Sequence, residues 1–262
     1  AIPHLDLFIV QDIFMTETAK LADVVLPAAS FAEKEGTFTN SERRVQRVRR
    51  VLKPKGQSRP DWKIICDIAG QMQAEGFSFT GPEEIMEEIA SLTPSYKGIT
   101  FERIEKEGIQ WPCPNTDHPG TKTLFMDRFS TSHGKAILNP VEYTRQTEPP
   151  SREFPFVLNT GRILYHYHTS TMSRKNKALT DFANESFVLM NPNDVEKNGF
   201  TDGDEVRIFN KRGELKTRIR RSNSVAEGEL FMPFHFNEAP VNRLTRGDLD
   251  PSSKIPPYKF SA

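Results

Sequence analysis

Three groups of polar residues in this sequence have types and spacings that suit binding chemistry. Gln11 and Asp12 close the apolar run Leu5 to Val10, and Asp61 stands immediately before the helically spaced stretch Trp62 to Ala74. A carboxylate at a strand end or a helix start can accept paired donors from a ligand, or it can simply cap the helix. Thr160-Gly161-Arg162 follows a strand-like run, Phe154 to Asn159. Backbone N–H groups, a hydroxyl and a guanidinium can converge there on a pyrophosphate, with glycine permitting close approach, although an ordinary turn can have the same composition. His166 and His168 alternate by two and would share one face of an extended segment, a spacing compatible with a metal pair. No third ligand accompanies them, so hydrogen bonding by the two imidazoles and the Thr169 hydroxyl is the preferred reading. Cys66 and Cys113 are too few and too far apart for an iron–sulfur or zinc motif.

The elements that must position these residues change along the chain. Leu5 to Val10 reads as a strand of a parallel sheet buried on both faces. Thr16 or Thr18 can cap a short helix through Ala22, and Val24 to Pro27 reads as a second strand, giving a βαβ fragment. In such sheets ligands bind outside the carboxyl ends of the strands, where Gln11 and Asp12 fall. Asp61 is the expected N-cap of a helix whose Trp62, Ile65, Ile68, Ala69 and Met72 share a side. A second helix is expected from Pro82 to Ser91. From Pro94 to Pro150, proline, glycine and isolated aromatics suggest irregular polypeptide covering other parts of a larger protein. Beyond Phe154, strands are expected at 154–159, 187–190, 205–210, 214–220 and 229–232. Lys211-Arg212-Gly213 reads as a hairpin turn in which Gly213 can take positive φ, and Asn193 as the cap of a single-turn helix that Gly199 closes.

Composition narrows the function classes. Thirty-five basic residues balance thirty-five acidic ones over 262 residues, leaving no net field to attract nucleic acid or an anionic membrane. The basic run Arg43 to Arg50 is therefore local, a solvated ribbon or a subunit contact. No apolar run approaches the roughly 18 residues of a membrane-spanning helix. The opening residues enter an apolar segment at once, without a leader, as expected of a fragment, a split subunit or a processed chain.

Gln11 to Ala19, Ala22 to Pro27 and Glu33-Lys34-Glu35-Gly36-Thr37-Phe38 resemble the third domain of the molybdopterin-dinucleotide oxidoreductases. Asn159 to Arg162, with His166, His168, Thr169, Met172 and Arg174, is similar to the start of that family's C-terminal barrel. The stretch Phe231 to Phe234, then Asn242, Asp250-Pro251 and Tyr258-Lys259, is similar to its end. Phe101-Glu102-Arg103-Ile104 and Gln110 to Pro114 look most like formate dehydrogenase. His166 to Thr169 is equally like the periplasmic and assimilatory nitrate reductases, which stay as the alternative.

The resemblance implies an α/β fold followed by a mainly β one: the end of a Rossmann-like molybdopterin oxidoreductase domain with a covering segment, residues 1–150, then a double-psi-type β-barrel that binds the dinucleotide, residues 151–262. It implies a bis(molybdopterin guanine dinucleotide) cofactor carrying molybdenum or tungsten. Guanine presents adjacent N1–H and N2–H donors that one carboxylate can accept together, a task that suits Asp12 and Asp61. Gln11 would add an amide contact, and Lys34 a cation near ribose or phosphate. Thr160, Gly161 and Arg162 would meet the pyrophosphate, and His166, His168 and Thr169 the pterin. Phe234, Asn242 and Lys259 match barrel positions that contact the cofactor.

No residue here matches the metal ligand, the neighbouring histidine or the substrate arginine that formate oxidation requires in that family. Catalytic and metal-ligating residues and a 4Fe-4S cluster are therefore expected in an N-terminal portion, from the same gene or a separate chain. An electron-transferring iron–sulfur subunit, formate as substrate and a cytoplasmic location complete the expectation. A non-catalytic double-psi barrel, of the kind that serves ATPases as a substrate-binding domain, would have no use for the Gln11-Asp12 and Glu33-Lys34-Glu35-Gly36 motifs.

Overall fold

A computed structural model describes residues 2–142 and 148–255. They form two compact units, Ala1–Asn139 and Pro140–Ala262. In the first, strands β1 (Ile9–Asp12) and β2 (Val24–Pro27) pair in parallel, Ile9 opposite Val24 and Asp12 opposite Pro27. A 3₁₀ turn at Ala19–Leu21 links them, and its capping oxygen is Thr16 Oγ1, which accepts from Ala19 N at 3.1 Å. The strand begins four residues later than expected. Leu5, Leu7 and Ile9 are exposed, not buried on both faces.

After β2 the backbone turns back along Arg59. Ala29 N donates to Arg59 O at 2.8 Å and Arg59 N to Pro27 O at 3.1 Å, which delivers helix α1 (Asp61–Gln71) to the ends of the two strands. Pro60, not Asp61, occupies the N-cap, and Asp61 lies in the first turn with its side chain turned to other partners. The helix buries Ile64 and Ala69, whereas Ile65, Ile68 and Met72 from the expected apolar side remain exposed. Helix α2 (Pro82–Leu92) starts on its proline as expected.

A three-stranded sheet of β3 (Gly36–Thr39), β4 (Arg44–Val48) and β5 (Ile109–Gln110) corrects two expectations. Residues 94–121, expected only as a covering segment, also contribute to this unit's own core: Ile99, Phe101, Ile104, Ile109 and Cys113 pack with Val45 and Met86. Nor is the basic run a solvated ribbon. Arg43 donates to the carbonyls of Trp111, Thr121 and Lys122, Arg44 to Gly108 O, and Arg47 and Arg49 pair with Glu105, so the arginines fasten this segment to β4. Residues 122–142 stay largely exposed.

The second unit carries a mixed five-stranded sheet in the order β6 (Val157–Gly161), β10 (Glu229–Pro233), β7 (Phe187–Met190), β9 (Gly213–Arg221), β8 (Glu205–Asn210). The pairs β6–β10 and β7–β9 are parallel and the other two antiparallel, a curled sheet that fits the expected double-psi-type barrel. Short helices α3 (Lys177–Phe182) and α4 (Pro192–Lys197) flank it. Asn191, rather than Asn193, caps α4 by accepting from Asn193 N, while Gly199 does close it at φ 72°. Gly213 opens β9 without positive φ. Its constraint is lateral, since a Cβ there would sit 3.3 Å from Arg243 O. Alternating inward residues such as Leu158, Val188, Met190, Leu215, Ile219, Leu230 and Met232 form the core.

Candidate cofactor site

In the first unit, three residues far apart in sequence meet at one carboxylate. Gln11 Nε2 donates to Asp61 Oδ1 at 2.8 Å, and Lys34 Nζ forms a close ion pair with Oδ2. Each arrives on a fixed piece of backbone. Gln11 is the penultimate residue of β1, and Asp61 rides the first turn of α1. Lys34 follows a 3₁₀ turn at Phe31–Glu33 locked by a capping box: Glu33 Oε2 accepts from Ser30 N at 2.9 Å while the Ser30 side chain accepts from Glu33 N. Glu33 Oε1 also accepts from Lys55 N at 3.0 Å.

Partial burial works to raise the Asp61 pKa, but the Lys34 ammonium and the Gln11 amide outweigh it and hold the carboxyl below its ordinary value. Asp61 is thus an anion with two donors placed, one on each oxygen. A cavity of about 250 Å³ opens beside it, walled by Lys34, Gly36, Phe38, Trp62, Ile85 and Ile89. A polar edge against a partly aromatic wall suits a planar base. Asp12 lies on the opposite side of β1 by strand alternation, and its Oδ1 accepts from Phe14 N at 3.2 Å.

In the second unit Thr160 and Gly161 are the last residues of β6, opposite Met232 and Pro233, so they end the strand instead of following it. The strand extends this far because β10 pairs with it, while Phe154 leaves the ladder to meet the Phe209 ring edge-on. Thr160 is buried. Gly161 has a packing reason of its own, since a Cβ would lie 2.6 Å from the Phe231 ring. Arg162 points outward with its guanidinium 5.4 Å from the centre of the Phe234 ring, and among the described residues no ion pair engages it. Phe234 N donates to Gly161 O at 3.2 Å, tying the two motifs together.

His166 and His168 do not share a face, because the segment is a sequence of turns rather than extended chain. His168 has φ 45° and Ser170 φ 60°. His166 is buried, with Nδ1 3.0 Å from Ser173 Oγ and Nε2 2.6 Å from Ala183 O, so both of its ring nitrogens are engaged inside the fold. His168 and Thr169 are exposed, and Thr169 Oγ1 lies 3.1 Å from Thr171 Oγ1. Asn242 is exposed on the 3₁₀ turn Val241–Arg243, and Lys259 falls outside the described residues.

Two organising features escaped sequence reading. His235 is buried, accepts from Ile163 N at 2.9 Å through Nε2 and meets the His168 carbonyl closely through Nδ1. Desolvation lowers its pKa, the bond to His168 opposes this, and nearby His166, Arg162 and His168 add to the lowering. It is a neutral imidazole clamping both ends of the Ile163–His168 turn. Its signal was a lone polar residue between Phe234 and Phe236, since a buried polar group must find partners. The Ser30–Glu33 capping box was also legible as S-x-x-E.

The first unit thus places an anionic carboxylate at a helix start beside a cavity, and the second unit exposes a guanidinium just past a glycine-terminated strand. Residues 1–71 match the molybdopterin oxidoreductase family and 156–262 the molydopterin dinucleotide binding domain, together more than half of the chain. The chain belongs to the molybdopterin oxidoreductases and carries their dinucleotide-binding domain. It is 47% identical over 263 residues to the F420-dependent formate dehydrogenase subunit alpha of Methanocaldococcus jannaschii, a match covering 100% of this chain and 39% of that protein. It is 38% identical over 272 residues to the assimilatory nitrate reductase catalytic subunit of Bacillus subtilis, again covering 100% of this chain and 38% of the relative. Acetylene hydratase from Pelobacter acetylenicus shares the fold with a TM-score of 0.75 at 19% identity, over 99% of this chain and 40% of that one. The chain thus spans about two fifths of the length of these relatives. Among the described residues no helix is long and apolar enough to cross a membrane.

Proposed function

We propose that this chain is the C-terminal portion of a formate dehydrogenase catalytic subunit, dividing near residue 150 into the end of the α/β domain and the dinucleotide-binding barrel. It would hold a bis(molybdopterin guanine dinucleotide) for reversible interconversion of formate and CO2. The observation that carries the reading is the convergence of Gln11 and Lys34 on the ionised Asp61 beside a cavity, in a chain whose M. jannaschii relative is a formate dehydrogenase subunit.

The residues fit the group chemically. Asp61 offers a carboxylate to the two adjacent donors of guanine, and Arg162 offers an exposed guanidinium to a phosphate. Asp12, Thr160, Gly161, His168, Thr169, Phe234, Asn242 and Lys259 complete the proposed contacts. His166 would act from within, by shaping the turn that carries His168 and Thr169. When bound, the cofactor supplies a molybdenum or tungsten centre able to exchange electrons with the substrate. The metal ligand, its partner histidine, the substrate arginine and a 4Fe-4S cluster are assigned to an N-terminal portion, from the same gene or a separate chain, with an iron–sulfur electron-transfer subunit and a cytoplasmic location. Formate-dependent dye reduction by the purified chain alone tests the division of labour. None is expected, and turnover would overturn it.

The second reading is the same portion of a nitrate reductase, favoured by the B. subtilis relative. Nitrate-dependent oxidation of a reduced dye by the holoenzyme, without formate oxidation, would select it.

A further inference from the structure

Lys34 is aimed at Asp61. Its side chain is 25% exposed against 43% for the carboxylate, its Nζ sits on Oδ2, and the Ser30–Glu33 capping box fixes the backbone that carries it. A carboxylate has about four lone-pair sites, two on each oxygen. Gln11 takes one on Oδ1 and Lys34 one on Oδ2, so the two side chains saturate neither oxygen. Two acceptor oxygens side by side match two adjacent donors, the N1–H and N2–H edge of guanine. They do not match adenine or cytosine, whose corresponding edges place a donor next to an acceptor, so that a lone pair would face a lone pair.

We propose that Lys34 and Gln11 are positioning residues that hold Asp61 as an ionised reader of a two-donor base edge, acting through the carboxylate and not on the nucleotide's sugar or phosphate. This rests on the reading that Asp61 receives guanine. It reassigns Lys34 from the phosphate contact that its place in the sequence suggested. The lowered pKa of Asp61 agrees with it, because Lys34 and Gln11 are the groups that offset the cost of burial. Removing Lys34 frees the carboxylate to rotate and brings its protonation closer to neutral pH.

The test uses the purified holoenzyme with Asp61→Asn, Lys34→Gln or Lys34→Arg, incubated at a series of pH values and passed through a desalting column. Guanine nucleotide retained on the protein is then measured after acid release. Wild-type protein should lose nucleotide only at low pH. Lys34→Gln should release it about tenfold faster, as the loss of one charge-assisted bond implies, with its acid limb displaced to higher pH, and Lys34→Arg should restore the wild-type limb. A Lys34→Gln protein with wild-type retention, or with the same fractional loss at every pH, overturns the proposal, because the second pattern is that of a lost phosphate contact. Circular dichroism distinguishes either result from misfolding, and failure of Lys34→Arg to restore the limb in a folded protein overturns it as well. Asp61→Asn separates the two levels: full retention in that variant refutes guanine at Asp61 itself, whatever Lys34 does.

Discussion

His235 accepts a hydrogen bond from the Ile163 backbone N–H at 2.9 Å, and its other ring nitrogen meets the carbonyl of His168, so one buried side chain closes the turn that displays the barrel's candidate cofactor residues. Accepting at Nε2 requires the neutral ring with its proton on Nδ1. A second proton would point at the Ile163 N–H.

Replacing His235 with phenylalanine leaves two backbone groups without partners, and each such buried group costs about 1–3 kcal/mol. The chain should unfold at lower denaturant concentration than wild type by a comparable amount, read by circular dichroism.

The same residue predicts a pH dependence. Its folded pKa is lowered from 6.5, first by desolvation, so unfolding restores a more basic imidazole. The contribution is intact above the ordinary value and is lost as pH falls below it toward the folded value. Stability should therefore decline below about pH 6.5, and the decline should be smaller in His235→Phe than in wild type. Equal declines in the two proteins would assign the effect to other groups.

Gly161→Ala should destabilise the second unit by about 1–3 kcal/mol, since the added methyl meets the Phe231 ring. Phe231→Leu in the same chain should recover part of that loss. If the double variant shows no recovery, the ring is not the obstacle.

Arg103 bonds the carbonyls of Gly98 and His118 and lies 3.3 Å from the Cys113 thiol, which is wholly buried. Arg103→Ala should raise the rate at which a thiol reagent reaches Cys113 by at least about tenfold, since bonds from a charged donor are worth about 1.5–3 kcal/mol each. Counting labelled Cys113 by peptide mass spectrometry checks this.

Legibility in the sequence followed the range of the interactions. The strands Val24–Pro27, Phe187–Met190 and Glu205–Asn210 were found to the residue because local apolar runs and their breakers define them. The types at Gln11, Lys34 and Asp61 were legible too, but not that they touch across 50 and 27 positions, since the β2-to-Arg59 backbone pairing that brings them together leaves no local pattern. Arg43 and Arg44 read as a charged surface because their acceptors are carbonyls of a distant loop, which carry no sequence signature. Asp61 read as an N-cap because residue type cannot tell the cap from the first turn, and Pro60 took the cap.

The central claim is that the carboxylates of the first unit hold the cofactor's guanosine. The direct measurement is the guanine nucleotide and metal content of the purified holoenzyme with Asp12→Asn and Asp61→Asn, alone and together. The account predicts that both contents fall in parallel in folded protein, most in the double variant. Full nucleotide and metal content in the double variant would contradict it, leaving Asp12 and Asp61 as residues that merely shape the ends of β1 and α1.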